Sequence, residues 1–552
     1  MSDKMFIEQQ YKQWLENVKD EEMLSELNNM GEAEKVKAFS TNLDFGTGGL
    51  RGVLGVGTAK MNTYNVAKVT RGLIAYLNKN YTGQKKVAIA SDPRQKSDEF
   101  INLIISILAE QNIKAVIYDD IKPTPMLSYL VRAYNCQAGI MITASHNPKE
   151  YNGYKVYNET GAQLNLEQSA LMIKEVYQQA YVFDEKITTL KALKEQQMVE
   201  IVDGSFDEQY FKSIEPVMKE KKVKKLKIVF TPEHGTTYKI VPKAFKHFGF
   251  TNLIEVTEQM IPDGNFSNTK SANPEDAQAY ELALDYAQKV DADLIIANDP
   301  DGDRLGIMFK NKQGKYVAFS GNQTGTLLID YLIKRDNLTT GTIYKTIVTG
   351  ELGANIAKAQ GLTVEETLTG FKFIGEKIEN NSKQDFVFGY EESYGYLIND
   401  CVRDKDAIQS SLLIAQMTQY YKDQNLDLQE VMNAIYKQYG YNYEVTNSIS
   451  LTGTSGMEKI KKVMKYYQEQ DIQAFCNYQV VQKIDYNEKQ GDLPKADVIK
   501  YYLQDLGWLV FRPSGTEPKL KVYVSISSES IEKSTQIATD IYQEILDKIE
   551  NI

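Results

Sequence analysis

Short apolar runs recur along the chain, with longer amphipathic stretches between them. VAIAS from Val87, AVIY from Ala115, GIMIT from Gly139, LKIVF from Leu226, DLIIAN from Asp293 and FVFGY from Phe386 have the length and content of buried strands. SDEFINLIISILAEQN from Ser97 and AQAYELALDYAQKV from Ala277 carry apolar residues at helical spacing. The opening MSDKMFIEQQYKQWLENVKDEE is polar and helix-like, and an amphipathic helix is expected from Ile531. This alternation predicts α/β layers with largely parallel sheets, in which ligands collect beyond the carboxyl ends of the strands. The loops that follow strands are therefore the places to look for chemistry.

With 552 residues, 42% hydrophobic and 25% charged, the chain has the composition of a globular protein of several domains. The basic run KEKKVKKLK, Lys219 to Lys227, marks a linker, and further boundaries are expected near Gly321 and Gly440. A net charge of -11 argues against nucleic acid as a partner but says little about small anions held by local donors. No apolar run approaches the ~18 residues of a membrane span, and the start lacks the apolar core of a signal peptide. Cys136, Cys401 and Cys476 are far apart and form no C-x-x-C. These features predict a cytoplasmic protein; small molecules are its expected partners, and a monomer or weak homo-oligomer its expected state.

Five loops stand out. NDPDGDRLG, Asn298 to Gly306, follows DLIIA and places Asp299, Asp301 and Asp303 within five residues. Three crowded carboxylates repel, and a hard cation such as Mg²⁺ relieves them; a plain acidic turn is the bland alternative. An EF-hand fails, because Arg304 and Lys310 stand where Gly and Glu would be needed. TASHNPKEYNGYK, Thr143 to Lys155, puts Ser145 at the mouth of a strand, either as a helix cap or as a nucleophile needing activation. FRPSGTEPKLKVY from Phe511 offers a guanidinium, hydroxyls and flexible backbone N–H groups, a nest suited to phosphate. GYEESYGY from Gly389 pairs acids with a serine, and FGTGGLRG from Phe45 is glycine-rich but lacks the GK[ST] of a nucleotide-binding loop. TGFKF from Thr369 and RDKDA from Arg403 add Lys372 and Lys405, each of which taken singly reads as a surface lysine.

Taken along the chain, as FGTGGLRG, TASHNP, DPDGDR, TGFK, GYEESYG and RPSGTEP, the loops resemble those of the α-D-phosphohexomutases, the phosphoglucomutase and phosphomannomutase superfamily, over roughly residue 40 to the end. TASHNP with DPDGDR is specific; the glycine-rich loops are not. The length and GYEESYGY look most like the bacterial glucose-type, glucose-1,6-bisphosphate-dependent branch. The resemblance implies an α/β protein of four domains around a central cleft: three related α/β domains with mixed sheets, and a smaller α+β lid. The implied bounds are 1–215 with the serine loop, 216–321 with the metal loop, 322–440 with the sugar loop, and 441–552 with the phosphate loop.

By the same resemblance, Ser145 carries the phosphoryl group, and Asp299, Asp301 and Asp303 hold one Mg²⁺ with the Ser145 phosphate as a further ligand. Lys155 and Lys405 are candidate proton donors and acceptors, Arg51 and Arg304 lie around the serine, and His146 orients. Thr369, Gly370, Lys372, Glu391 and Ser393 face the sugar. Arg512, Ser514, Gly515 and Thr516, with Lys519 or Lys521, grip the phosphate that is not transferred. The implied reaction exchanges glucose 1-phosphate and glucose 6-phosphate through glucose 1,6-bisphosphate. Tyr394 and Tyr396 stand where the mannose-type branch has a histidine, which weakens a mannose reading. Phosphomannomutase, phosphoglucosamine mutase and phosphopentomutase are the near alternatives. A phosphatase using Asp299 as nucleophile leaves Ser145 and RPSGTEP unexplained, and a silent sugar-phosphate-binding protein leaves the lysines without a purpose.

Overall fold

The computed structural model describes residues 3–43, 45–46, 49–219, 225–381, 385–451, 456–514 and 519–552. The chain forms two compact units: Met1–Ala318 with Ile374–Lys383 and Gly395–Gln419, and Phe319–Phe373 with Gln384–Tyr394 and Tyr420–Ile552.

The first unit holds two sheets. In the larger, Lys86–Ser91 lies between Lys114–Tyr118 and Ala138–Ile142, all parallel, and Tyr151–Asn158 returns antiparallel beside Ala138–Ile142. Every residue of Ala138–Ile142 is buried, which is why it reads as an unbroken apolar run rather than an alternating one. Helix Ser97–Glu110 buries Phe100, Leu103, Ile104, Ile107 and Leu108, a stripe at helical spacing, and these residues share a core with Val87, Ile89 and Ile140. Each such side chain contributes about 1.5–3 kcal/mol by leaving water. The register pairs Ser91 with Ile142, so the residues that follow, Asp92 and Thr143, emerge side by side at the carboxyl ends.

In the second sheet of this unit, Leu294–Asn298 runs parallel to Ile228–Thr231 and antiparallel to Leu305–Lys310. The turn between Asn298 and Leu305 is the acidic loop. The helix expected from Ala277 opens as a 3₁₀ turn, Ala277–Tyr280, and becomes α-helical at Glu281–Val290.

The second unit has Thr342–Thr346 flanked in parallel by Thr363–Thr367 and Phe386–Glu391. It also contains an antiparallel sheet in the order Tyr441–Ser450, Lys519–Ser528, Gly507–Pro513, Ile499–Leu503, Tyr478–Asp485, Ala474–Phe475. Helices Gly456–Glu469 and Ile531–Glu550 pack Val463, Met464, Ile537, Ile541 and Ile545 against Leu509, Phe511, Val522 and Val524.

All six strand runs and the named helices are present. Of the basic linker run, residues 220–224 lie outside the described residues. Among the described residues, no helix is long and apolar enough to cross a membrane.

Candidate active site

Strand Ala138–Ile142 continues through buried Thr143 and Ala144 to Ser145, which is 3% exposed. Ser145 has φ of 53°, a left-handed conformation that costs a non-glycine residue roughly 1–2 kcal/mol. Its neighbours offset that cost. The Ser145 N–H donates to Thr143 Oγ1 at 2.8 Å, and Thr143 Oγ1 donates to Asp92 Oδ2 at 2.6 Å. Arg94 donates to the carbonyls of Ser145 and Asn147, both at 2.6 Å, of Pro148 at 2.8 Å and of Tyr151 at 2.9 Å. Burial pushes Asp92 up to about 6 against the pull of Arg94 and Thr143. Sequence reasoning passed over Asp92 and Arg94. The signal was available: SDPR follows the strand beside the serine's own strand, at the same carboxyl edge.

The Ser145 hydroxyl donates to Asp299 Oδ2 at 3.0 Å and lies 3.2 Å from His146 Nδ1. His146 is held well below the ordinary histidine value by burial and by the positive charges of Arg304 and Arg51. It is therefore neutral near pH 7, and its ring can accept a hydrogen bond.

Asp299, Asp301 and Asp303 each bring a carboxylate oxygen within 4.8 Å of the others, and all three residues are buried. The turn is held by Gly302 at φ 66°, where a Cβ would meet Pro123 and Thr237 at 2.6 and 2.7 Å. Asp299 Oδ1 accepts from the N–H groups of Asp303 and Arg304. Burial and the two other carboxylates push Asp299 well above the carboxylate range. Burial pushes Asp303 the same way, but Lys405, Lys155 and Arg304 outweigh it and hold Asp303 below its ordinary value. Among the described residues, Asp301 Oδ1 and Asp303 Oδ1 are buried with no hydrogen-bond donor. Buried, donor-less carboxylate oxygens within a close cluster of three acids fit a hard divalent cation.

Lys155, from strand Tyr151–Asn158, donates to Asp301 Oδ2 at 2.7 Å and to Asp303 Oδ2 at 3.5 Å. Burial pulls its ammonium down, yet Asp301 and Asp303 hold it above the ordinary lysine value. Lys405 pairs with Asp303 Oδ2 and Asp404 Oδ1, both at 3.2 Å, and Asp404 also accepts from Tyr157 at 2.9 Å. Arg51 donates to Asn147 Oδ1 at 3.0 Å, and Arg304 to Glu275 Oε1 at 2.6 Å. Thus the serine, the three acids, both lysines, His146 and the two arginines gather within the first unit, although they come from loops up to some hundreds of residues apart.

The remaining sequence candidates lie in the second unit. Glu391, at the end of strand Phe386–Glu391, accepts the Gly370 N–H at 3.0 Å, which joins the EES and TGFK loops. Lys372 is buried with its ammonium 5.0 Å from the Phe373 ring, and Thr369 and Ser393 are partly buried. Arg512 stands opposite Lys521 in register, and Lys519 lies two residues along on the same face. Ser514 donates from its N–H to the Lys519 carbonyl at 2.8 Å, closing the base of the RPSGTEP loop. Gly515 and Thr516 lie outside the described residues. Arg512 donates to Tyr523, whose phenol is pushed up to about 12 by burial and by Glu392.

Domain models of the phosphoglucomutase/phosphomannomutase family match this chain in order: alpha/beta/alpha domain I at 42–181, II at 208–314, III at 320–439, and the C-terminal domain at 453–542. The chain belongs to the phosphoglucomutase/phosphomannomutase family. A phosphoglucomutase of Staphylococcus epidermidis is 37% identical over 541 residues, 96% of this chain and 98% of the relative. Among solved structures, parafusin, a phosphoglucomutase from Paramecium, superposes with a TM-score of 0.68 at 18% identity, covering 92% of this chain and 95% of the other. A phosphoglucomutase/phosphomannomutase family protein from Burkholderia thailandensis gives 0.67 at 18% identity, covering 92% and 97%. The two structures speak to the fold alone. As a family member, the chain has four domains, α/β in the first three and with an antiparallel sheet in the last, and is an isomerase; the family implies a metal cofactor, and the buried acidic triad is a group that could hold one.

Proposed function

We propose that this chain is a phosphoglucomutase, exchanging α-D-glucose 1-phosphate and glucose 6-phosphate through a phosphoserine at Ser145 and a glucose 1,6-bisphosphate intermediate. The observation that carries the reading is the Ser145 hydroxyl 3.0 Å from Asp299, beside a buried acidic triad flanked by two lysines. Asp299, Asp301 and Asp303 would hold one Mg²⁺, which when bound neutralises charge on the transferring phosphoryl group.

The chain's own groups do the rest. Phospho-Ser145 gives its phosphoryl group to O6 of glucose 1-phosphate, and Ser145 Oγ leaves as the alcohol. Lys155 and Lys405 carry the protons, one supplying the leaving oxygen and the other receiving from the attacking hydroxyl. After glucose 1,6-bisphosphate turns over, its C1 phosphate returns to Ser145 and glucose 6-phosphate departs. His146, kept neutral, fixes the Oγ direction. Thr369, Gly370, Lys372, Glu391 and Ser393 bind the sugar. Arg512, Ser514, Gly515, Thr516, Lys519 and Lys521 bind the phosphate that stays, whose binding energy orients the sugar.

The experiment is a panel of hexose and pentose 1-phosphates assayed with catalytic glucose 1,6-bisphosphate, alongside mass mapping of Ser145. Glucose 1-phosphate should give the highest kcat/KM, with one phosphate on Ser145. A faster mannose or pentose substrate would move the assignment within the family. A phosphate on Asp299 would replace it with a phosphatase.

A further inference from the structure

Arg94 occupies an unusual position for a residue that no substrate contact requires. Its side chain is fully buried. A guanidinium has five N–H groups, and each is used: Nε on Asp92 at 3.1 Å, Nη1 on the carbonyls of Pro148 and Tyr151, Nη2 on those of Ser145 and Asn147. No donor remains for a phosphate. Three of these carbonyls belong to the loop that presents Ser145, and the fourth, Tyr151, opens the strand into which that loop runs.

The other side of Arg94 is tied to the part of the chain that carries the metal loop. The Phe266 ring centroid lies 5.0 Å from the guanidinium carbon. The Arg94 backbone bridges to Gly264, where a Cβ would meet the Pro93 carbonyl at 2.6 Å, and neighbouring Gln95 donates to Asn265 at 2.6 Å. The segment around Phe266 is fastened to His234: Asn268 N–H donates to His234 Nε2, and Nδ1 of that ring lies 2.8 Å from the Ile261 carbonyl. The next residues support the metal loop directly. Thr236 donates from N–H and hydroxyl to the Pro300 carbonyl at 2.8 and 2.9 Å, and a Cβ on Gly235 would come within 2.3 Å of Pro300 Cα. A continuous packed strut thus runs from the serine loop through Arg94, Phe266, His234 and Gly235 to the turn that holds Asp299.

We propose that Arg94 is a positioning residue that, braced by Phe266, sets the separation and direction of Ser145 Oγ relative to the metal loop. Phosphoryl transfer depends on in-line placement within a few tenths of an ångström, and a displacement of about 1 Å costs on the order of 10²-fold in rate. A lysine cannot replace the planar fork, because three donors on one nitrogen cannot reach four carbonyls and a carboxylate. The inference rests on Ser145 being the phosphoryl carrier.

The test compares wild type, Arg94→Lys and Phe266→Leu in the full chain. It measures kcat and KM for glucose 1-phosphate, the single-turnover rate at which glucose 1,6-bisphosphate phosphorylates Ser145, and the melting temperature. Arg94→Lys should lose about 10- to 100-fold in kcat and in the Ser145 phosphorylation rate, with KM within about two-fold, because the sugar-binding residues are untouched. Phe266→Leu keeps the five hydrogen bonds but loosens their brace, and should show a smaller loss of the same kind. If Arg94→Lys does not fold, Phe266→Leu decides: a fall in kcat at constant KM supports the strut, and wild-type kcat overturns it. Wild-type rates in a folded Arg94→Lys, or a loss that merely tracks the folded fraction, also overturn it. If wild type itself never acquires phosphate at Ser145, the functional reading fails and takes this inference with it.

Discussion

Ser145 donates from Oγ to Asp299 Oδ2 at 3.0 Å across 154 residues of chain. A serine hydroxyl needs a base, a metal or a phosphate to react, and this contact places it at the one buried acidic triad found among the described residues. Ser145→Ala should abolish both the stable phosphate and mutase activity, by at least roughly 10⁴-fold, since no other group can take over the covalent step. Because the Ser145 side chain is small, the melting temperature should change little. Intact-mass measurement and a coupled assay check this; a retained phosphate would place the carrier elsewhere.

Asp301 uses Oδ2 for Lys155 and Thr124, and among the described residues its Oδ1 has no donor. Asp301→Asn keeps the volume but removes the charge that would hold the cation. We expect kcat to fall about 10²- to 10³-fold and the Mg²⁺ concentration for half-maximal activity to rise, with substrate KM nearly unchanged. Titration of activity against Mg²⁺ decides, and an unaltered Mg²⁺ curve would exclude Asp301 as a ligand.

Arg512 and Lys521 sit opposite each other at the entrance to the RPSGTEP loop. A guanidinium on a phosphate is a charge-assisted pair worth about 1.5–3 kcal/mol, so Arg512→Ala should raise KM for glucose 1-phosphate roughly 10- to 150-fold. The protein should remain folded, because Arg512 is only partly buried. Steady-state kinetics with circular dichroism tests it; an unchanged KM would show that another loop holds that phosphate.

Glu233 is buried just beyond the end of strand Ile228–Thr231, and burial, opposed by hydrogen bonds with Thr269 and Thr231, pushes its carboxyl from 4.5 up to about 8. Below pH 4.5 the group is neutral in the folded and the unfolded chain alike. Between 4.5 and about 8 the unfolded chain releases the proton while the folded chain keeps it, so stability falls as pH rises, by at most ~1.4 kcal/mol per pH unit. Glu233→Gln removes that slope. Its melting temperature should exceed wild type by more at about pH 8 than at about pH 5, and an equal difference at both would refute the assignment.

Much of this protein was readable in one dimension, and the reason is locality. Ala138–Ile142 and Leu294–Asn298 are buried on both faces, so each appears as a bare apolar run whatever its partners. Asp299, Asp301 and Asp303 meet because one turn brings them together, and a turn is written in adjacent residues. Tertiary structure decided everything that depends on register and approach between distant segments. Arg94 reads as an ordinary arginine until the pairing of Ser91 with Ile142 places its loop beneath the serine, and Lys405 reads as a surface lysine until it comes to rest 3.2 Å from Asp303. Glu233 carries no local mark of its raised carboxyl value, because the burial responsible is supplied by other parts of the fold. Local sequence encodes which groups a loop offers, whereas their protonation, strain and aim are set by neighbours that only folding brings near.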